Sequence, residues 1–402
     1  MLFFSLNVPP FSTHHTQTVI FAVLSGTTNN VEKLLGELIA LPSVNPAFLP
    51  AGHARAGEQR VAEFLAATAA RAHLDVEFQP VLPGRSNLLV RLVPRNKIKS
   101  RVLLAPHLDT VDGNEGQFLP LKKDGRMFGR GACDTKGSVA VMVSLMTALA
   151  KNGQRPTETE IVFAGLVDEE NAQSGSRALA RSRLQADLGI VGEPTCLRVV
   201  TAHKGSLWLK IETRGKSAHG SVPELGRNAV HAMARVVEAL ETDYAREIQR
   251  RRHPLLGIPT VSVGSITGGT QANIVPDRCT IMVDRRTLPG ETEAGVRREI
   301  QALLRRKKLK AALLNGKTEP CLPLETDPSV PMVGRFLRSV GQTKPLGVRY
   351  FCDASVLAHA GIASVAFGPG DIAQAHTADE WISLDSLNRA QRMLADFIES
   401  LP

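Results

Sequence analysis

No apolar run in this chain of 402 residues approaches the ~20 residues that a membrane-spanning helix needs. The richest stretch, Ser138 to Ala150, reads as a buried helix. The five cysteines, at 133, 196, 279, 321 and 352, are odd in number and contain no C-x-x-C pair. That argues against a disulfide framework and against a thiolate zinc site, and makes a reducing cytoplasm the expected compartment. No G-x-G-x-x-G lies between an expected strand and helix, which removes a dinucleotide-binding oxidoreductase. There is no internal repeat and no low-complexity tract. Met1 to Asn30 contain no lysine or arginine, so the basic n-region of a secretory signal is missing. Residues 1–30 are expected to be a disordered extension outside the fold.

What is present is ordinary in bulk, with 43% apolar and 22% charged residues, as in soluble globular proteins. The length exceeds what one core usually fills, so two domains are expected. Net charge is +9, and its distribution says more than its size. Residues 199–318 carry 21 Lys and Arg against 11 Asp and Glu, whereas the rest of the chain carries 27 against 28. The runs Arg250-Arg251-Arg252 and Arg305-Arg306-Lys307-Lys308 make a nucleic-acid-binding protein on an inactive scaffold the rival reading. Charge runs are more often solvated faces. No nucleic acid and no membrane is expected as a partner.

Periodicity gives an α/β chain. Helical spacing over 31–40 and 58–74 alternates with strand-like runs at 75–81, 87–93 and 101–106. A loop-rich stretch 111–130 precedes the long helix that ends at Asn152-Gly153, a glycine C-cap. Glu160 to Val167 is an apolar, β-branched run of the kind found in sheets covered on both faces. Between 199 and 318 the order becomes β-α-β-β-α-β, a split-βαβ, ferredoxin-like α+β unit inserted into the larger domain. The expected organisation is a main domain from 31–198 and 319–402, with a mostly parallel sheet flanked by helices, and an inserted domain over 199–318.

Three expected strands end in ionisable groups: His107 with Asp109, Glu169 with Glu170, and Glu193. Alone, a strand-end histidine is usually a core residue and a Glu-Glu pair is usually solvated. Ligands in open α/β sheets bind beyond the strand C-termini, however, so these groups are expected to share one site. Two charges directly after a buried strand also call for pairing or a metal. The inventory of His107, Asp134, Glu170, Glu193 and His376 contains oxygen and imidazole donors without sulfur, suiting Zn²⁺, Co²⁺ or Mn²⁺. Five ligands exceed one catalytic zinc and suit two ions about 4 Å apart, a hydrolytic arrangement. Glu169, beside a ligand and not needed as one, is the candidate general base, and Asp109 the carboxylate that orients His107.

The motifs Pro106-His107-Leu108-Asp109, Gly129-Arg130-Gly131 through Asp134-Thr135-Lys136-Gly137, Asp168-Glu169-Glu170, Gly192-Glu193-Pro194-Thr195 and His376 to Glu380 resemble those of the M20 metallopeptidase family. That family includes acetylornithine deacetylases, succinyl-diaminopimelate desuccinylases, aminoacylases and glutamate carboxypeptidases. The resemblance covers roughly residues 31–400. It implies that His107 and Glu193 hold one zinc, Glu170 and His376 the other, and that Asp134 bridges them, next to a cis peptide at Thr135. It further implies that the inserted domain forms a homodimer and that His219 in Ser217-Ala218-His219-Gly220 reaches the partner's active site to stabilise the oxyanion. Asn273 and Arg286 correspond to residues that hold the substrate carboxylate, a task suited to a guanidinium fork. Gly368 is taken as a further substrate-binding position, in a run from Phe367 to His376 that looks most similar to acetylornithine deacetylase-type members. The implied substrate is therefore a small N-acyl amino acid, with desuccinylation or peptide cleavage by a carboxypeptidase or dipeptidase as the alternative. Pro106 stands where the family usually has glycine.

Overall fold

The structure, a computed structural model, describes residues 30–316 and 319–402. The extension expected over residues 1–30 lies, up to residue 29, outside the described residues. The largest sheet runs in the order Asp75–Leu82, Arg85–Leu92, Thr159–Gly165, Ser100–Leu104, Leu188–Val191, Ser364–Ala366, Val200–His203, Leu324–Glu325, with Leu346–Val348 also paired to Val200–His203. Its centre is parallel: Val102 pairs with Ile161 on one side and Leu188 on the other, and Ser364 with Gly189. Antiparallel strands flank that centre, so the sheet is mixed.

The central strands are buried on both faces, and alternation decides which layer each side chain joins. Val102, Leu104, Ile161 and Phe163 pack in one cluster with Leu35, Leu65, Leu145 and Leu394 from the helical segments 30–39, Gln59–Ala70, Lys136–Lys151 and Leu384–Glu399. Leu103, Ala105, Val162 and Ala164 face the other way, toward Leu179 and Leu357 of Ser174–Arg181 and Ala354–His359. A sheet sandwiched between helices follows. Because the four central strands point the same way, their C-terminal ends all emerge at one edge, and His107, Asp168 to Glu170, Glu193 and Gly368 follow them there.

A second sheet has the order Thr260–Gly268, Arg278–Thr287, Gly205–Arg214, Ala312–Asn315, all antiparallel. With the helices Ala229–Ala239 and Glu293–Arg306 it realises the expected β-α-β-β-α-β order. Every second residue of Arg278–Thr287 is buried. Cys279, Ile281 and Val283 meet Met233, Val236, Ile300 and Leu303 in a core separate from that of the large sheet. Val200–His203, expected in the insertion, belongs to the large sheet, and the chain enters the second sheet at Gly205. Four residues without a distinct pattern gain a strand from their neighbours Ser364–Ala366 and Leu346–Val348. The loop-rich stretch 111–130 contains two short strands, Leu121–Lys123 and Arg126–Phe128, which pair with each other, and the second also pairs with Trp381–Ser383.

The basic runs of the second unit are partly neutralised in place. Arg251 pairs with Glu291 and Glu299, Arg306 with Glu247, and Lys307 with Asp243. Among the described residues no helix is long and apolar enough to cross a membrane. Phe163 is fully buried in the middle of the largest sheet. Phe163→Ala is expected to destabilise the protein by about 3–5 kcal/mol, checked by the urea midpoint; a loss under about 1 kcal/mol would contradict this packing.

Candidate metal centre

His107 leaves the strand Ser100–Leu104 through a bridge to Leu166 and is buried. Its Nδ1 lies 2.9 Å from the Asp109 carbonyl oxygen and 3.6 Å from the Asp109 carboxylate. A carbonyl can only accept, so Nδ1 carries a proton and Nε2 is the group presented to the site. Nε2 sits 3.1 Å from Asp134 Oδ1. The Asp109 carboxylate faces the next strand's turn, where it accepts the backbone N–H groups of Glu169 and Glu170, each at 3.1 Å. Asp109 therefore holds both the histidine and the glutamate pair.

Asp134 arrives by another route. Its loop is folded around the buried Glu380, whose carboxylate accepts the N–H groups of Gly131, Cys133 and Asp134 and pairs with Arg130 at 2.7 Å. The Asp134–Thr135 peptide is cis. Thr135 Oγ1 donates to the Gly192 carbonyl at 2.8 Å, joining this loop to the strand end that carries Glu193. His376 closes the cluster, with Nε2 at 3.1 Å from Glu170 Oε1 and 3.4 Å from Asp134 Oδ2. Donor atoms of His107, Asp134 and Glu170 all lie within 4.8 Å of one another. Glu193 is buried, and its Oε1 has no hydrogen-bond partner.

The electrostatics are unbalanced toward negative charge. Burial, reinforced by the neighbouring acids, pushes Glu169 and Glu193 well above the usual carboxylate range. Burial also raises Glu170, against the pull of His376. For Asp134 burial acts upward, but His107 and His376 prevail and hold it below its ordinary value. Contacts with Asp134 and Glu170 raise His376 to about 10. Burial works to lower His107, yet Asp109 and Asp134 hold it well above the usual histidine value. Four acids converge on two imidazoles, with one carboxylate oxygen unpartnered. Divalent cations are what such a donor set accommodates, since unpaired buried charge is otherwise expensive.

The remaining expected residues lie outside this cluster. His219 is exposed, its Nδ1 2.7 Å from Ser221 Oγ, and it bridges to Ile274 beside Asn273, whose carbonyl accepts from Gly220 at 2.7 Å. Their chain neighbours Gly220, Ala272 and Ile274 help to line a groove of about 530 Å³ in the second unit. Arg286 pairs with Asp284 at 2.9 Å and stands over the Phe351 ring at 5.7 Å. Gly368 is buried; a Cβ there would come within 2.6 Å of the Glu193 carbonyl oxygen, so its bareness lets the two strand ends approach.

The profile of peptidase family M20/M25/M40 matches residues 103–400. The chain belongs to the M20 peptidase family. An acetylornithine deacetylase of Vibrio campbellii is 31% identical over 346 residues, 83% of this chain and 89% of that one. The fold is that of the aminopeptidase PepT of Bacillus cereus, with a TM-score of 0.75 at 23% identity over 92% of this chain and 98% of that one. It is also that of the YXEP protein of Bacillus subtilis, described as a dinuclear metal binding peptidase, at a TM-score of 0.66 and 14% identity over 93% and 98% of the two chains.

Sequence reasoning within the M20 frame overlooked several groups that shape the centre. Glu380 was visible only as the end of a motif, because its three backbone partners lie 246 to 249 residues away. Asp353 is buried and pushed up to about 6 by burial, takes hydrogen bonds from Ser176 and Gln173, and leaves Oδ2 unpartnered. Lys136 is buried with its ammonium on the carbonyls of Leu38 and Leu41, and burial lowers it to about 7.

The shifts predict how protein freed of metal by a chelator responds to pH. Glu169 and Glu193 are raised above 4.5, and His376 is raised from 6.5 to about 10. Each contributes stability fully present below its unfolded value and lost as pH rises through its folded value. Lys136, lowered from 10.5 to about 7, acts in the opposite sense over the same range, so the effect of His376 is read as a difference: from pH 6.5 to 10 the melting temperature of the chelated unmodified protein is expected to fall relative to that of His376→Gln. Parallel profiles in the two proteins would contradict the paired imidazolium.

Proposed function

We propose that this M20 member is a metal-dependent amidohydrolase that removes an N-acyl group from an amino acid, with an N-acetyl-ornithine-like substrate as the first choice. The observation that carries the reading is the cluster of Asp134, Glu169, Glu170 and Glu193 with the buried His107 and the exposed His376, in which Glu193 Oε1 has no protein partner. Its similarity to acetylornithine deacetylases over most of the chain supports the substrate class.

In this reading His107 and Glu193 would hold one divalent ion and Glu170 and His376 the other, with Asp134 available to both. Zn²⁺ is the preferred ion, and Co²⁺ or Mn²⁺ would suit the same donors. Such ions supply Lewis acidity, lowering the pKa of a water and polarising the amide carbonyl. Glu169 is the general base. It takes the proton released as the water oxygen attacks the acyl carbon, and delivers it to the nitrogen as the C–N bond breaks, leaving a carboxylate and an amine. Its raised affinity for a proton suits it to holding that proton between the two steps. Asp109 keeps the His107 ring in place.

Arg286, over Phe351, and Asn273 bind the substrate's carboxylate, and Gly368 supplies main chain at the site. Two copies pair through the inserted unit, whose sheet begins at Gly205, and His219 acts on the oxyanion in the partner's site. The exposure of His219 and its place in the second unit, where it bridges to Ile274, support a role in trans. The main domain comprises 31–198 and 319–402 together with the strand Val200–His203, and the five free cysteines fit a reducing cytoplasm.

The decisive experiment is a turnover screen on N-acetyl-ornithine, N-succinyl-diaminopimelate, other N-acyl amino acids and dipeptides, with Zn²⁺ or Co²⁺ added. Preference for a dipeptide would move the assignment to the peptidase members. Glu169→Gln should retain metal, seen by elemental analysis, while kcat falls about 10²–10⁴-fold. Separately inactive His219→Ala and Glu169→Gln subunits should regain activity when mixed, since one hybrid site has both groups intact. Mixtures that remain inactive while forming dimers would rule out the trans role.

A further inference from the structure

Asn45 is fully buried and precedes the span matched by the family profile. Its Oδ1 accepts the N–H of Ala47 at 3.0 Å. A backbone N–H can only donate, so the amide orientation is settled and Nδ2 points the other way. There it donates to Asp109 Oδ2 at 2.7 Å and to Asp168 Oδ1 at 3.0 Å. The two acceptors belong to different elements. Asp109 follows the strand that delivers His107, and Asp168 opens the turn that delivers Glu169 and Glu170.

Asp168 is held from several sides. Its φ of 69° is in the left-handed region, which aspartate tolerates better than most residues other than glycine. Arg85 Nη1 donates to Asp168 Oδ1 at 3.2 Å, and Arg85 Nε to Glu58 Oε2 at 2.8 Å. The Asp168 N–H donates to Glu58 Oε1 at 3.2 Å, and Ser174 Oγ donates to Asp168 Oδ2. The backbone of Asn45 is anchored too, with its N–H on the Thr110 carbonyl at 2.9 Å. A continuous set of hydrogen bonds therefore runs from Arg85, at the outer end, through Asp168 and Asn45 to Asp109.

We propose that Asn45 is a positioning residue for the metal centre: one amide hydrogen on Asp109 and the other on Asp168 fix the spacing between the strand end bearing His107 and the turn bearing Glu169 and Glu170. This rests on reading the cluster as a metal centre. An amide suits the task because it presents two donors and no negative charge between two carboxylates. Aspartate, the same shape, would put a third acid at about 3 Å from both.

The test compares the whole protein with Asn45→Asp, Asn45→Ala and Arg85→Gln. Chelated protein is titrated with Co²⁺ by calorimetry, kcat and KM are measured on the substrate found in the screen, and the melting temperature is recorded. Both Asn45 variants are expected to bind Co²⁺ about 10- to 100-fold more weakly and to lose kcat by a similar factor at little-changed KM. Arg85→Gln, at the outer end of the same set, should shift both in the same direction by a smaller factor. Wild-type Co²⁺ affinity and kcat in folded Asn45 variants, with only the melting temperature lowered, would overturn the proposal. If the Asn45 variants fail to fold, unchanged affinity and kcat in Arg85→Gln overturn it. If the unmodified protein itself takes up no Co²⁺, the metal-centre reading fails instead.

Discussion

The carboxylate of Asp109 is the group on which the site's geometry depends. It accepts the backbone N–H groups of Glu169 and Glu170 and the side chain of Asn45, and its own carbonyl takes the His107 proton. One buried acid therefore ties the ends of two adjacent parallel strands and selects the imidazole nitrogen that faces the cluster. A carboxylate accepting several N–H bonds stays ionised despite burial, and Asp109 is held below its ordinary range by His107, Asn45 and the Glu170 amide, against its own desolvation. The hydrogen bonds that shape the site also hold the charge that orients it.

Around that acid the protein concentrates negative charge where low dielectric makes it costly. Asp134, Glu169, Glu170, Glu193 and Asp353 are all strongly desolvated, and their mutual repulsion is answered by two imidazoles. Such an arrangement is stable only because the scaffold over-determines it, as expected of sites where local stability is given up for function. The scaffold here is a central parallel sheet buried on both faces, together with Glu380, which gathers the loop before Asp134 by three backbone N–H groups. Rigid strand ends and one loop wrapped on a carboxylate keep the acids close without collapse.

Much of this was legible in the residues. The unbroken apolar run within Thr159–Gly165 and the spacing of Glu293–Arg306 mark a doubly covered strand and an amphipathic helix, because both patterns are set by local geometry. The strand-end motifs were readable because chemistry-bearing residues follow apolar runs directly. Val200–His203, Leu346–Val348 and Trp381–Ser383 were missed because such short segments become strands only through partners distant in sequence. Asn45 and Arg85 carried no signal at all, since nothing near them in the chain announces that Asp109 and Asp168 will lie within reach.

By itself, then, the sequence determined the alternation of elements, the β-α-β-β-α-β order and the candidate donors His107, Asp134, Glu170, Glu193 and His376, for these are properties of residue type and local spacing. Only the tertiary structure decided that His107, Asp134, Glu170 and His376 meet, that Nε2 of His107 is the nitrogen presented, and that Glu193 keeps an unpartnered oxygen. It also decided that Asn45, Glu58, Arg85 and Glu380 form the support. The physical reason is range: a hydrogen bond of 3 Å between residues 64 or 246 positions apart is set by how sheets and loops pack, and leaves no periodic trace in either partner's neighbourhood.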